Sequence, residues 1–83
     1  MTYAIIIAPI AQRQLKDLDK NTQERILSAL DRIRVRPYSF VRKVTGTPFY
    51  RLRAGNYRVI LDIRDDTLTI LVIKVGHMQN IYG

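Results

Sequence analysis

Apolar and polar positions change their period along the chain. Residues 3–8 form an unbroken run of aromatic, β-branched and small side chains closed by Pro9. The run reads as a strand, and Pro9, which cannot donate to a sheet, suits the first turn of a helix. Ala11, Leu15 and Leu18 then recur at helical spacing and predict a short amphipathic helix. Asn21 followed by Glu24 has the form of a capping box opening a second helix. On it Ile26, Leu27, Leu30 and Ile33 form an apolar stripe, with Arg25, Asp31, Arg32 and Arg34 outside. Pro37 ends it. Few polar residues join the two helices, so they are expected to pack as an antiparallel hairpin.

Residues 38–48 carry little signal beyond a turn at Gly46 and Pro48. From there the period is two. Residues 49–54 and 57–64 read as strands joined by Gly55-Asn56, a strong signal for a tight hairpin. Asp65-Asp66 makes a second turn, and residues 68–75 give a third strand. The expected fold class is α+β: an N-terminal strand and an antiparallel two-helix hairpin packed on a twisted, mainly antiparallel four-stranded sheet. No repeat, low-complexity segment or linker interrupts residues 1–83, which read as one domain.

Composition narrows the class. At 83 residues and 47% apolar, the chain can bury a single core. It has no cysteine, which excludes disulfides, thiolate metal sites and a cysteine nucleophile. The apolar start is too short to span a bilayer and lacks the basic beginning and cleavage site of a signal peptide. A soluble cytoplasmic protein is expected, with no membrane partner. Charge adds more. Fourteen basic residues against seven acidic give +7, and the excess lies late in the chain. Residues 1–34 carry a net +2 and residues 35–83 a net +5. Arg36, Arg42, Lys43, Arg51, Arg53 and Arg58 follow one another with no carboxylate between them. Such a stretch attracts polyanions, nucleic acid foremost.

Alternation then places the cations. Tyr57, Val59, Leu61 and Ile63 share the face expected to meet the helices, leaving Arg58, Ile60 and Asp62 on the other. Across the hairpin, Arg51 and Arg53 are expected to join Arg58 on the open face. Arginine offers a planar fork matched to phosphate oxygens, where lysine would suffice for solubility. An ordinary polar outer face accounts for the same pattern equally well. His77 and Tyr82 follow the third strand in a short tail. The lone histidine cannot assemble a metal site by itself. An imidazole suits proton transfer, although a surface or capping role is the commoner fate of such a residue. Tyr82 reads equally as an aromatic packed on the sheet. Asp65 and Asp66 read as exposed turn formers.

The segments FYRLRAGNYRVIL (residues 49–61) and ILVIKVGHMQNIY (residues 70–82), with the Lys43-Val44-Thr45-Gly46 stretch before them, closely resemble the RelE family of toxins from toxin–antitoxin operons. The resemblance covers nearly the whole chain. It implies a ribosome-dependent endoribonuclease that cuts messenger RNA in the A site, using the RNA's own 2′-hydroxyl as nucleophile and no metal or other cofactor. By position, Arg51 and Arg53 match the family's basic pair on the sheet, Arg58 its phosphate-holding arginine, and Tyr82 its terminal tyrosine. Arg42 and Lys43 are carried as further RNA contacts. Two positions depart from the family. Met78 stands where an arginine commonly assists the leaving group, which shifts that task to His77, and Thr45 stands where a basic residue is usual. The implied partners are a cognate antitoxin, the ribosome and messenger RNA. The related ParE branch shares the fold but inhibits DNA gyrase, and an antitoxin-binding relic without catalysis is a further alternative.

Overall fold

In the computed structural model, which describes residues 1–78, β1 (Ala4–Ile7) leads directly into α1 (Pro9–Lys16). Pro9 occupies the first turn, where its missing N–H goes unmissed. The Gln12 side chain donates back to the Ile7 carbonyl at 2.9 Å and secures the corner. Residues 17–19 then connect to α2 (Lys20–Arg32). The cap of α2 is Asp19, not the expected Asn21 with Glu24. Asp19 accepts from the Thr22 N–H at 3.2 Å and from the Thr22 hydroxyl. Two short acceptor side chains compete for the helix start here, and the one three residues ahead of a matching hydroxyl takes it. Asn21 falls inside the first turn.

A 3₁₀ turn (Pro37–Ser39) follows, and then a strand that the sequence pattern does not reveal, β2 (Val41–Lys43). The sheet therefore has five strands rather than the expected four, in the order β1-β5-β4-β3-β2. Three residues with one apolar side chain carry no readable period. Val41–Lys43 becomes a strand because β3 (Tyr50–Ala54) offers it an open edge, with Arg42 opposite Arg51. β3 and β4 (Tyr57–Arg64) pair in the register set by the Gly55-Asn56 turn, Ala54 facing Tyr57. Gly55 takes φ +60° and Asn56 does not take a positive φ, which is the type II′ pattern. At the other edge β1 runs parallel to β5 (Thr69–His77).

Helices cover one face of the sheet. Ala11 and Leu15 of α1, Ile26, Ala29 and Leu30 of α2, and Ile33 just beyond it meet Leu52, Ala54, Val59, Leu61, Ile70, Val72 and Val75 in one core. Full burial of a side chain such as Ile26, Leu61 or Ile70 contributes about 1.5–3 kcal/mol. That exceeds local propensity differences and fixes which face looks inward.

One irregularity in this sheet governs the far end of β5. Ile60 faces Lys74 but Leu61 faces Val72, so Ile73 is an extra residue, a β-bulge. Strict alternation from buried Ile70 would send Lys74 inward. The bulge instead sends Val75 inward, and after it His77 rather than Gly76. The Gln14 side chain of α1 accepts the Val75 N–H at 2.6 Å, meeting a donor next to the break in the ladder. Among the described residues, no helix is long and apolar enough to cross a membrane.

Candidate functional site

The open face of β2, β3 and β4 brings four arginines together. Arg42 sits directly opposite Arg51, and Arg53 directly opposite Arg58. Directly opposed residues in an antiparallel pair have Cβ atoms only about 4.5–5.5 Å apart, and like charges so placed destabilise the sheet. With Phe40 these arginines line a groove of about 280 Å³ whose exposed surface is mainly polar. Arg42 and Arg53 are exposed, whereas Arg51 and Arg58 are half-buried, with the Arg58 Nε enclosed by protein. Asp62, on the same face of β4, lies beyond Ile60 and is held by Arg64 at 3.0 Å. A larger groove of about 370 Å³, between β1 and α2, is mostly aliphatic and contains the Asp31–Arg34 ion pair. It offers a polyanion nothing comparable.

Two expected site residues, Lys43 and His77, are not in the arginine groove. Lys43 points to the other face of β2, its ammonium 5.0 Å from the centroid of the Tyr50 ring. His77 is not in a tail after β5 but is its last residue, paired with Tyr57. Its ring meets the Tyr57 ring edge-on, with centroids 5.4 Å apart, on the face turned toward the helices. The bulge at Ile73 carries His77 to the side of the sheet opposite the arginines. Gly76, not His77, lies opposite Arg58. Tyr82 lies outside the described residues. Among those described, no three His, Cys, Asp or Glu side chains converge as a metal site.

The sequence reading missed Phe40 and the network that holds it. Tyr38 of the 3₁₀ turn stacks edge-on against Tyr50, centroids 5.3 Å apart. Its hydroxyl donates to the Asp65 carboxylate, 2.8 and 2.9 Å from the two oxygens, and the Tyr3 hydroxyl donates to the same carboxylate at 2.7 Å. Loss of water and the adjacent carboxylate raise the Tyr38 phenol well above its usual range, and the bond to Asp65 raises Tyr3 as well. Both remain neutral donors at physiological pH. Asp65 is thus exposed, as its place in a turn implies, but it also ties three separate segments together. No sequence pattern marks a contact between residues 27 and 62 positions apart.

Comparison with known proteins decides the family. A family profile described as the ParE toxin of type II toxin-antitoxin systems, parDE, matches residues 5–82. A chain of the archaeal RelE–RelB complex from Pyrococcus horikoshii OT3 is 30% identical, over 96% of this chain and 99% of that one, with a TM-score of 0.82. The chain belongs to the RelE/ParE superfamily of type II toxins. More distant toxins share its fold. A chain of the RelBE2 toxin–antitoxin complex from Mycobacterium tuberculosis is 20% identical over 93% of this toxin and 99% of that chain, with a TM-score of 0.84. An arginine-to-alanine double mutant of the E. coli toxin RelE, solved in the free state, is 23% identical over 99% and 90%, with a TM-score of 0.82. A search of the curated proteins gave no match.

Proposed function

We propose that this RelE-type toxin binds messenger RNA in the arginine groove and cleaves it in the ribosomal A site. The observation that carries the reading is the pair of directly opposed arginine couples, Arg42–Arg51 and Arg53–Arg58, lining one groove on the sheet face opposite the helices. Guanidinium groups gathered at this spacing offer several planar forks to the oxygens of an RNA phosphate. In the reaction, the ribose 2′-oxygen bonds to phosphorus as the bond to the 5′-oxygen breaks, leaving a 2′,3′-cyclic phosphate and a 5′-hydroxyl. Negative charge grows on the equatorial oxygens, and fixed guanidinium groups stabilise it more than they stabilise the ground state. A guanidinium group does not give up its proton in a protein, so these side chains clamp and neutralise rather than act as a base. In this reading the 2′-hydroxyl proton and the 5′-oxygen proton are exchanged with water or with the ribosome. No metal is needed, Tyr82 stacks on the cleaved nucleotide, and a cognate antitoxin is the partner, as RelB is for the solved relatives.

The match to the ParE profile supports a second reading, inhibition of DNA gyrase. Primer-extension mapping on programmed ribosomes separates the two. Cuts within A-site codons are expected. Intact messenger RNA, together with gyrase-dependent plasmid cleavage, would replace the first reading by the second.

A further inference from the structure

Phe40 is 47% exposed, belongs to none of the core packing, and lines the same groove as the four arginines. A phenyl ring has no polar atom to share with guanidinium groups, so hydrogen bonding does not account for its place there. Nor is it loosely held. Its N–H donates to the Pro37 carbonyl at 3.2 Å, closing the 3₁₀ turn, and the side chain two residues earlier, Tyr38, is fixed by Tyr50 and Asp65. Phe40 closes the turn in a helical conformation just before β2, and this sets its ring in the groove with Arg42. Tyr38 is similarly exposed, but its ring and hydroxyl are already engaged. Among the described residues, one aromatic ring thus stands at the rim of a cationic groove. Single-stranded nucleic acid sites combine these two features: cations follow the backbone while an aromatic face takes a base.

We propose that Phe40 is a nucleobase-stacking residue, so that the groove holds single-stranded RNA with one base against the ring and its neighbouring phosphates on the arginines. The proposal rests on the RNA-binding reading above and adds to it a residue that reads bases rather than charge.

The test compares binding of a short labelled oligoadenylate and its abasic counterpart, by fluorescence anisotropy at fixed salt, to the wild-type chain, Phe40→Ala and Phe40→Trp. Wild type should prefer the base-bearing strand, and Phe40→Ala should lose that preference by about 5- to 150-fold, the equivalent of one base–aromatic stack. Both variants should bind the abasic strand like wild type. The chain has no tryptophan, so Phe40→Trp adds a single reporter whose emission the oligoadenylate should quench and the abasic strand should not. Because the side chain is outside the core, unchanged circular dichroism and melting temperature verify the fold of each variant. Equal preference in wild type and Phe40→Ala would overturn the stacking role while leaving the arginine site standing. An equal loss on both strands would also overturn it, by making Phe40 a structural support of the groove. Wild type that binds neither strand would sink the RNA reading itself, and this proposal with it.

Discussion

Arg53 and Arg58 set stability against the function proposed for them. They face each other directly across β3 and β4, where like charges cost about 0.2–1 kcal/mol. Arg53→Thr keeps a good strand former and removes the repulsion. It should raise stability by roughly that amount in chemical denaturation, while weakening RNA binding. A variant less stable than wild type would mean that the arginines are held for structure. Arg58→Ala should lower single-turnover cleavage by about 10²–10³, the usual effect of removing one group aimed at developing charge. Arg13→Ala, on the exposed side of α1, should leave cleavage unchanged. Equal losses at both positions would point to a diffuse attraction by net charge. Gly55 is a separate case. At φ +60° a side chain is strained, and a Cβ there would come within 3.0 Å of Arg25 Nη1. Gly55→Ala should therefore destabilise the hairpin by about 1–2 kcal/mol, measured by the urea midpoint.

Among the elements, β5 has the largest consequence for chemistry. Its bulge places His77 against Tyr57 on the helix side, away from the arginines. His77→Gln should accordingly leave single-turnover cleavage nearly intact, whereas loss of a general acid would cost about 10²–10⁴. The same variant should lower stability by about 0.5–1.5 kcal/mol through the lost aromatic edge contact. Helix α2 carries the clearest pH dependence. Hydrogen bonds from the Thr22 hydroxyl and N–H lower the Asp19 carboxyl below its ordinary value. A lowered folded pKa means that the cap contributes stability above the unfolded pKa of about 4, and that this is lost as pH falls through the folded value. Melting curves of wild type and Asp19→Ala should differ near neutral pH and converge in acid. A gap that persists at the lowest pH would show that the carboxylate charge is not what caps the helix.

At the scale of the molecule, charge and fold are divided between two faces. Helices and core occupy one side of the sheet, and the other is left with a cationic end near β2 and β3. The number of phosphates engaged there can be counted from salt dependence. For single strands, log K falls by about 0.7 per phosphate contacted for each unit of log salt. A four-arginine groove predicts a slope of about −3, reduced by about 0.7 in Arg53→Ala and unaltered in Arg13→Ala. A slope that responds equally to both substitutions would trace to the net +7 rather than to the groove.

Sequence alone determined whatever depends on local period and short-range turn chemistry. The two helices, the Gly55-Asn56 hairpin and the grouping of Arg51, Arg53 and Arg58 all follow from side chains separated by a few residues. Their periods are enforced by burial of one face. The α2 cap was legible only to within two residues, because Asp19 and Asn21 are both good caps and the hydroxyl of Thr22 decides between them. Tertiary structure decided the rest, because the cause lies in another part of the chain. β2 exists through its pairing with β3, and that pairing brings Arg42 to Arg51. Phe40 is presented by a turn that Asp65 and Tyr50 hold from a distance. The bulge at Ile73 has no local signature, since Ile, Val and Lys suit a regular strand as well as a broken one. It forms where β4, β1 and the Gln14 side chain of α1 meet β5 together. A one-residue slip in a two-residue period exchanges the faces, and here that exchange separates the single histidine from the arginines.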